Sequence, residues 1–139
     1  MPQPALRLVL TLALAYFAGV FALAFVVGIG RTLWLAPRVG AVAAVLAELP
    51  VILAASWLWS RHLLRRHPLP RRTQALAMGA AAFALLMAAE LGLALLLGQS
   101  AGQWLGSLAT PAGALGLAGQ LGFAGMPWVV WVEVRGKVG

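Results

Sequence analysis

Two of the three acidic residues of this chain, Glu48 and Glu90, each lie inside an apolar stretch long enough to cross a bilayer. A carboxylate in hydrocarbon is destabilising by several kcal/mol unless it pairs with a cation, takes up a proton or faces water. Two carboxylates held close together also resist ionising at the same time, so they can share a proton near neutral pH. The chemistry that this pair predicts is the binding of a proton or another cation within the membrane.

Two further polar residues, Gln120 and Arg31, belong to the same predicted layer. At a rise of 1.5 Å per residue, Glu48, Glu90 and Gln120 all fall roughly 12–14 Å below the outer surface. The stem of Arg31 is long enough to reach this layer or to extend outward to the headgroups. Two interpretations stay open. The layer is an ion or proton site, or it consists of a structural Arg31–Glu48 bridge and a protonated Glu90 bonded to Gln120.

The composition identifies the elements that position these residues. The chain has 139 residues, of which 63% are hydrophobic and 9% are charged, whereas soluble domains contain about 25% charged residues. Apolar runs of about 20 residues predict spans, and a single transmembrane domain over 1–139 contains four of them: Leu8–Ile29, Val39–Trp59, Gln74–Gly98 and Ala112–Val132. The predicted fold is an all-α, integral membrane four-helix bundle in which helices joined by short loops are antiparallel neighbours.

Most of the net charge of +7 lies in the loop 60–73. This loop contains five arginines, Arg61, Arg65, Arg66, Arg71 and Arg72. Since basic residues concentrate on the cytoplasmic side, the loop and both termini, with Arg7, Arg135 and Lys137, are predicted to be cytoplasmic. The loop arginines are also candidates for binding anionic lipid headgroups. A topological role for the charge removes the reason to expect a nucleic-acid partner.

The backbone suggests mobility and association. Pro50, two residues after Glu48, frees the carbonyl of Leu46 and predicts a hinge. In the third span a row of small residues forms an association face, and Glu90 points away from it: Ala77, Ala81, Ala84, Ala88 and Gly92. Five glycines at every third residue from Gly113 to Gly125 predict either close approach of the last span to more than one neighbour or a flexible helix. We therefore expect a homo-oligomer or another membrane protein as partner, and a path between protomers more readily than within one.

Several classes of function lack a motif. The chain has no cysteine, which excludes disulfides and thiolate chemistry. It has no aspartate, no phosphate-binding glycine loop and no hydrolase or metalloprotease signature, so we predict no enzyme, no cofactor and no metal site. An acid–base enzyme using the two glutamates is a weaker alternative.

The segment from Arg31-Thr32-Leu33-Trp34 through Glu48-Leu49-Pro50 resembles small uncharacterised four-span inner-membrane proteins of proteobacteria. The resemblance covers less than half of the chain and implies a bacterial inner-membrane location but no activity. Small four-helix multidrug transporters differ, because their essential glutamate lies in the first span and this first span has no acid. Two functions compete: transport of protons, ions or small solutes through the glutamate site, or a non-transporting role in assembling another membrane protein.

Overall fold

The computed structural model describes residues 3–138, and the side chains of residues 3–135. The described residues form helices and no strand. Residues 3–138 contain five helices: α1 Gln3–Val39, α2 Ala41–Arg66, α3 Arg72–Leu96, the short α4 Ala101–Ser107, and α5 Pro111–Val138. The side chain of Lys137, which is predicted from the sequence to be cytoplasmic, lies outside the described residues.

The first helix is longer than the predicted first span. It is α-helical over Gln3–Gly30, π-helical over Arg31–Leu35 and α-helical again over Ala36–Val39. The sequence predicts a connection over 30–38, but the helix is interrupted only at Gly40. The φ angle of this residue is +90°, in the left-handed region that favours glycine. The helix continues through this stretch as a π-helical turn, and such turns are frequent at functional sites.

The four long helices pack as a ring in the order α1, α2, α5, α3. This order differs from the expectation that sequential helices are neighbours, since α2 and α3 lie diagonally across the ring. The extended residues 67–71 connect them, and five residues can reach about 17 Å. Helices in contact are about 10 Å apart, so the loop is long enough for the diagonal.

The buried core lies mainly in the half of the bundle that contains the 67–71 loop. Its largest fully buried side chains include Tyr16, Phe123, Leu64 and Met78. Helices α3 and α5 approach closely here. A Cβ added to Gly79 would collide with the backbone carbonyl of Ala124, so only glycine fits at this contact. We call this half the arginine-rich end, and the half that contains Gly40 and α4 the cavity end.

The arginine-rich end is closed by side chains that hold the loop to α5. The indole of Trp131 donates to the carbonyl of Leu69 at 2.9 Å, and the guanidinium of Arg135 donates to the same oxygen at 3.1 Å. The predicted loop 60–73 is shorter in the structure, because α2 continues to Arg66 and α3 begins at Arg72. Of the five arginines of the predicted loop, Arg65, Arg66, Arg71 and Arg72 are exposed, and Arg61 lies over the ring of Trp57. These contacts fix the loop and leave its charges at the surface.

Large apolar side chains cover the outside of the bundle, where a soluble protein would carry charge. Each of the four long helices is long and apolar enough to cross a membrane: Gln3–Val39, Ala41–Arg66, Arg72–Leu96 and Pro111–Arg135. The outward face and the helix lengths together support a multi-pass membrane protein.

Candidate functional site

A cavity of about 370 Å³ opens between the helices at the cavity end. All four long helices contribute to its wall, and the α4 segment lines it with Trp104 and Ser107. Arg31, Glu48, Glu90 and Gln120 all line this cavity. The polar residues of the predicted layer therefore face one cavity within a single chain. The cavity is formed without a second protomer, whereas the sequence favoured a path between protomers.

Arg31 extends inward from the π-helical turn and forms a salt bridge through its Nε with Glu48 on α2. The Arg31 side chain is 30% exposed and that of Glu48 is 15% exposed. Of the two directions that the sequence leaves open for this arginine, the structure adopts the inward one. A second, apolar groove between α1 and α2 touches the same two residues, so the ion pair forms the partition between groove and cavity.

Glu90 is held differently. The amide Nε2 of Gln120 on α5 donates to Glu90 Oε1 at 2.5 Å, and Glu90 forms no salt bridge with any of the described residues. The other amide atom, Gln120 Oε1, is buried without a hydrogen-bond partner in the described part of the chain. This pair can serve two states of the carboxyl group. An ionised Glu90 accepts from the amide nitrogen, and a protonated Glu90 donates to the amide oxygen after the amide turns over.

The glycines of α5 shape the wall of the cavity. Gly119 and Gly122 receive the side chains of Leu49 and Leu53 from α2, while Gly113 lies against the carbonyl of Ser107. At these positions α5 closely approaches one long helix, α2, and the short α4 segment that precedes it in the chain. Gly116, which lines the cavity, has no other atom within 4 Å of where its Cβ would be, and the open volume begins there.

The floor of the cavity is the ring of Phe123, which belongs to an aromatic pair from two diagonal helices. Tyr16 of α1 stacks on Phe123 of α5 with ring centroids 4.4 Å apart, and both side chains are buried. The Tyr16 hydroxyl donates to the backbone carbonyl of Phe123 at 2.5 Å. Pro127 lies four residues after Phe123 and has no N–H, so this carbonyl lacks its helical donor. The tyrosine supplies the missing hydrogen bond.

Other sequence-predicted residues lie elsewhere. Pro50 is inside α2 with its side chain exposed, and its role as a hinge stays a prediction. The lipid-headgroup candidates Arg61, Arg65, Arg66, Arg71 and Arg72 lie at the arginine-rich end, separate from the cavity.

Sequence reasoning missed the π-helical turn and the pair formed by Tyr16 and Pro127. A signal for the second was present, because the only tyrosine of the chain lies in an apolar span and needs a hydrogen-bond partner there. A proline within the last span frees a carbonyl that could supply it.

The cavity offers proton and cation chemistry. Among the described residues no group of three His, Cys, Asp or Glu side chains could hold a metal ion. The Ser107 and Thr110 hydroxyls near the cavity already donate within their own turn, to the carbonyls of Trp104 and Ser107. The groups that remain for a ligand are the carboxyl group of Glu90, which can exchange a proton, and the amide of Gln120, which can turn over to match either state of that carboxyl group.

Comparisons with family models, with curated proteins and with solved structures find no match to this chain. The function of the protein is therefore inferred from the geometry of the cavity.

Proposed function

We propose that this protein transports protons, ions or small solutes across a membrane through the cavity that contains Glu48 and Glu90. The observation that carries the proposal is the lone carboxyl group of Glu90. It faces the same cavity as a completed Arg31–Glu48 pair, yet has only an amide as partner among the described residues. A purely structural carboxyl group would gain more from a cation, since an unpaired buried charge is costly.

The division of roles follows from charge. The Arg31–Glu48 pair is neutral as a whole and holds α1 to α2. In this proposal Glu90 is neutralised by a proton or by a cationic ligand from the cavity, and this partner binds and leaves again. A site that exchanges its charge in this way is what a carrier requires.

The proposed setting is the bacterial inner membrane, with both termini and the 67–71 loop in the cytoplasm. The surplus of arginine at that end supports this orientation. The exposed loop arginines would then lie at the level of anionic headgroups, which they can bind. The cavity would open toward the opposite side of the membrane.

The experiment is charge movement in proteoliposomes that contain the full-length purified protein, under gradients of H⁺, Na⁺ and K⁺ in turn, with a panel of small solutes. We expect Glu90→Gln to reduce the flux of the carried species by about 100-fold, because it removes the exchangeable proton. Glu133→Gln is the matched control, since Glu133 is exposed and bonds to Trp57 outside the cavity. Equal flux in both variants, or no flux in the wild type, would contradict the proposal.

An accessory role in assembling another membrane protein is the second candidate, and one observation favours it. In the small-residue row of α3, Ala84 and Ala88 are exposed, and nothing lies within 4 Å of where a Cβ of Gly92 would be. Such a face lets another helix approach closely. In this non-transporting role the wild type carries no flux. Native mass spectrometry would report a second copy or a foreign partner, and Ala88→Leu should abolish that contact.

A further inference from the structure

The cavity has an apolar wall for which a proton or a metal ion has no use. Apart from the four residues of the polar layer and the hydroxyl residues Ser107 and Thr110, the residues that line it are apolar or glycine. Three aromatic rings belong to this wall, those of Phe21, Trp104 and Phe123. The volume of about 370 Å³ lies within the range of roughly 300–1,000 Å³ that is typical of pockets for small organic molecules. The wall therefore fits a ligand with an apolar body.

The charge of the ligand follows from the ionisable side chains of the cavity. These are Arg31, Glu48 and Glu90, one cation and two carboxylates. Since Arg31 and Glu48 form a salt bridge, an ionised Glu90 leaves the cavity with one negative charge. An anionic ligand would add to this charge in a site partly removed from water, whereas a monovalent cation cancels it.

Glu90 also presents a free hydrogen-bond acceptor. Its Oε1 accepts from Gln120 Nε2, while its Oε2 accepts no hydrogen bond from the described residues and, unlike Gln120 Oε1, is not buried. A hydrogen bond from an ammonium group to a carboxylate is charge-assisted and about twice as strong as a neutral one. A cationic nitrogen that carries an N–H therefore satisfies both the charge and the acceptor, whereas a quaternary nitrogen satisfies the charge alone.

The same site is poor for a bare metal ion. Such an ion needs several oxygen ligands in place of its hydration shell. No group of three His, Cys, Asp or Glu side chains exists among the described residues, and the two hydroxyls near the cavity are engaged in their own turn. An ammonium group needs only acceptors for its N–H groups, and aromatic rings attract its charge from the other sides.

We propose that the cavity binds a protonated organic amine with an apolar body. The ammonium N–H donates to Glu90 Oε2, and the body packs against Phe21, Trp104 and Phe123. No proton is transferred on binding, since the amine stays an ammonium ion and Glu90 stays a carboxylate. The inference rests on the proposed function and names the class of small solute that its site takes.

The first test uses the wild type alone and a matched series of ligands. Calorimetric titration of the purified full-length protein in detergent at pH 7 compares 2-phenylethylammonium with methylammonium, which lacks the body, with 2-phenylethanol, which lacks the charge, and with the N,N,N-trimethyl derivative, which lacks the N–H. Burial of the phenyl body should make 2-phenylethylammonium bind about 10- to 100-fold more tightly than methylammonium. It should bind about tenfold or more tightly than the other two, because they lose the charge-assisted hydrogen bond. No binding of 2-phenylethylammonium, or an affinity equal to that of any of the three relatives, would overturn the inference.

The second test locates the charge. Glu90→Gln should weaken the binding of 2-phenylethylammonium by about 10- to 100-fold, since the amide offers an acceptor without a charge. Glu133→Gln is the control, because Glu133 bonds to Trp57 outside the cavity and its variant should bind as the wild type does. Equal affinities in the two variants would overturn the assignment of Glu90.

The third test locates the body. Gly116 lines the cavity and has nothing within 4 Å of where its Cβ would be, so the side chain in Gly116→Leu would occupy part of the open volume. Gly125 on the same helix also has free space at its Cβ position but does not line the cavity. Gly116→Leu should weaken the binding of 2-phenylethylammonium about tenfold, because it excludes part of the body, and Gly125→Leu should leave it unchanged. Wild-type affinity in Gly116→Leu would overturn the placement of the body.

The ligand class and the proposed transport can fail separately. If the wild type carries H⁺, Na⁺, K⁺ or another solute but binds no amine, the ligand class is wrong and the proposed transport stands. If the amine binds through Glu90 and nothing that is offered crosses the membrane, the binding site stands and transport is wrong. Uptake of radiolabelled 2-phenylethylamine into wild-type vesicles above that into Glu90→Gln vesicles would support both.

Discussion

The two ends of this bundle use the same four helices in opposite ways. At the cavity end a π-helical turn, open glycines and four polar side chains keep the helices apart around about 370 Å³ of space. At the arginine-rich end aromatic, aliphatic and small residues fill the interior, and the loop is bonded to α5. The difference indicates that an open, polar site is possible in so small a protein because the other half supplies the packing.

The largest loss of unfolding free energy should come from removing the Phe123 ring, which lies at the boundary between the cavity end and the arginine-rich end. Phe123→Ala deletes the 1%-exposed ring that stacks on Tyr16, and loss of a buried phenylalanine typically costs about 3–5 kcal/mol of unfolding free energy. Denaturation in detergent micelles would measure it. The control is Phe25→Ala, since that ring is 45% exposed, and an equal loss in the two variants would contradict a closed floor.

Close packing at the arginine-rich end can be tested at one glycine. Gly79→Ala places a Cβ against the Ala124 carbonyl, and over-packing of this kind costs about 1–3 kcal/mol of unfolding free energy. Gly92→Ala on the same helix meets nothing within 4 Å and should stabilise the helix by about 0.5–1 kcal/mol. Thermal unfolding of both variants measures the contrast, and the same sign for both would argue against the close α3–α5 contact.

A third effect concerns the hydrogen bond that holds the floor. Tyr16→Phe leaves the Phe123 carbonyl without a donor, at a cost of about 1–2 kcal/mol in unfolding free energy. Pro127→Ala restores an N–H that can take this carbonyl as its helical partner. Tyr16→Phe should therefore cost less in the Pro127→Ala background, as a double-mutant cycle would show. Simple additivity of the two changes would contradict the link between them.

The smallest effect is expected at the ion pair. Glu48→Gln removes the partner of Arg31, but the arginine is 30% exposed, so the loss of unfolding free energy should be only about 1 kcal/mol. Replacing both residues in Arg31→Gln with Glu48→Gln removes the unpaired charge and should recover part of it. If the loss of unfolding free energy in the double variant equals the sum of the losses in the two single variants, the two residues do not act as a pair.

Much of this architecture is readable from the sequence because the bilayer restricts what a chain of this composition can do. Four long apolar runs leave few alternatives to four spanning helices, and acids inside such runs turn toward the interior because lipid does not solvate them. Glu48, Glu90 and Gln120 were predicted as one layer from their positions along the spans, at a rise of 1.5 Å per residue. Their common cavity within one chain was not, because rotation about each helix depends on side chains of its neighbours.

The features that escaped sequence reasoning depend on contacts between distant residues. Nothing local marks the helix between Gly30 and Gly40 as continuous, since Arg31, Pro37 and Arg38 are typical of a loop. The order of the helices around the ring depends on how far the 67–71 loop extends. The floor of the cavity depends on a hydrogen bond from Tyr16 to a carbonyl 107 positions away in the sequence. Such pairings are set by packing across the bundle, which periodicity and composition do not encode.

The central claim is that the polar layer faces water inside the membrane, and cysteine accessibility tests it most directly because the chain has no cysteine of its own. Gly116→Cys would lie on the open cavity wall, while Leu121→Cys lies on the same helix at an outward position that is 58% exposed. In sealed vesicles a charged, membrane-impermeant thiol reagent should label Gly116→Cys from one side only and leave Leu121→Cys unlabelled in lipid. An unlabelled Gly116→Cys beside a reactive Leu121→Cys would contradict the claim.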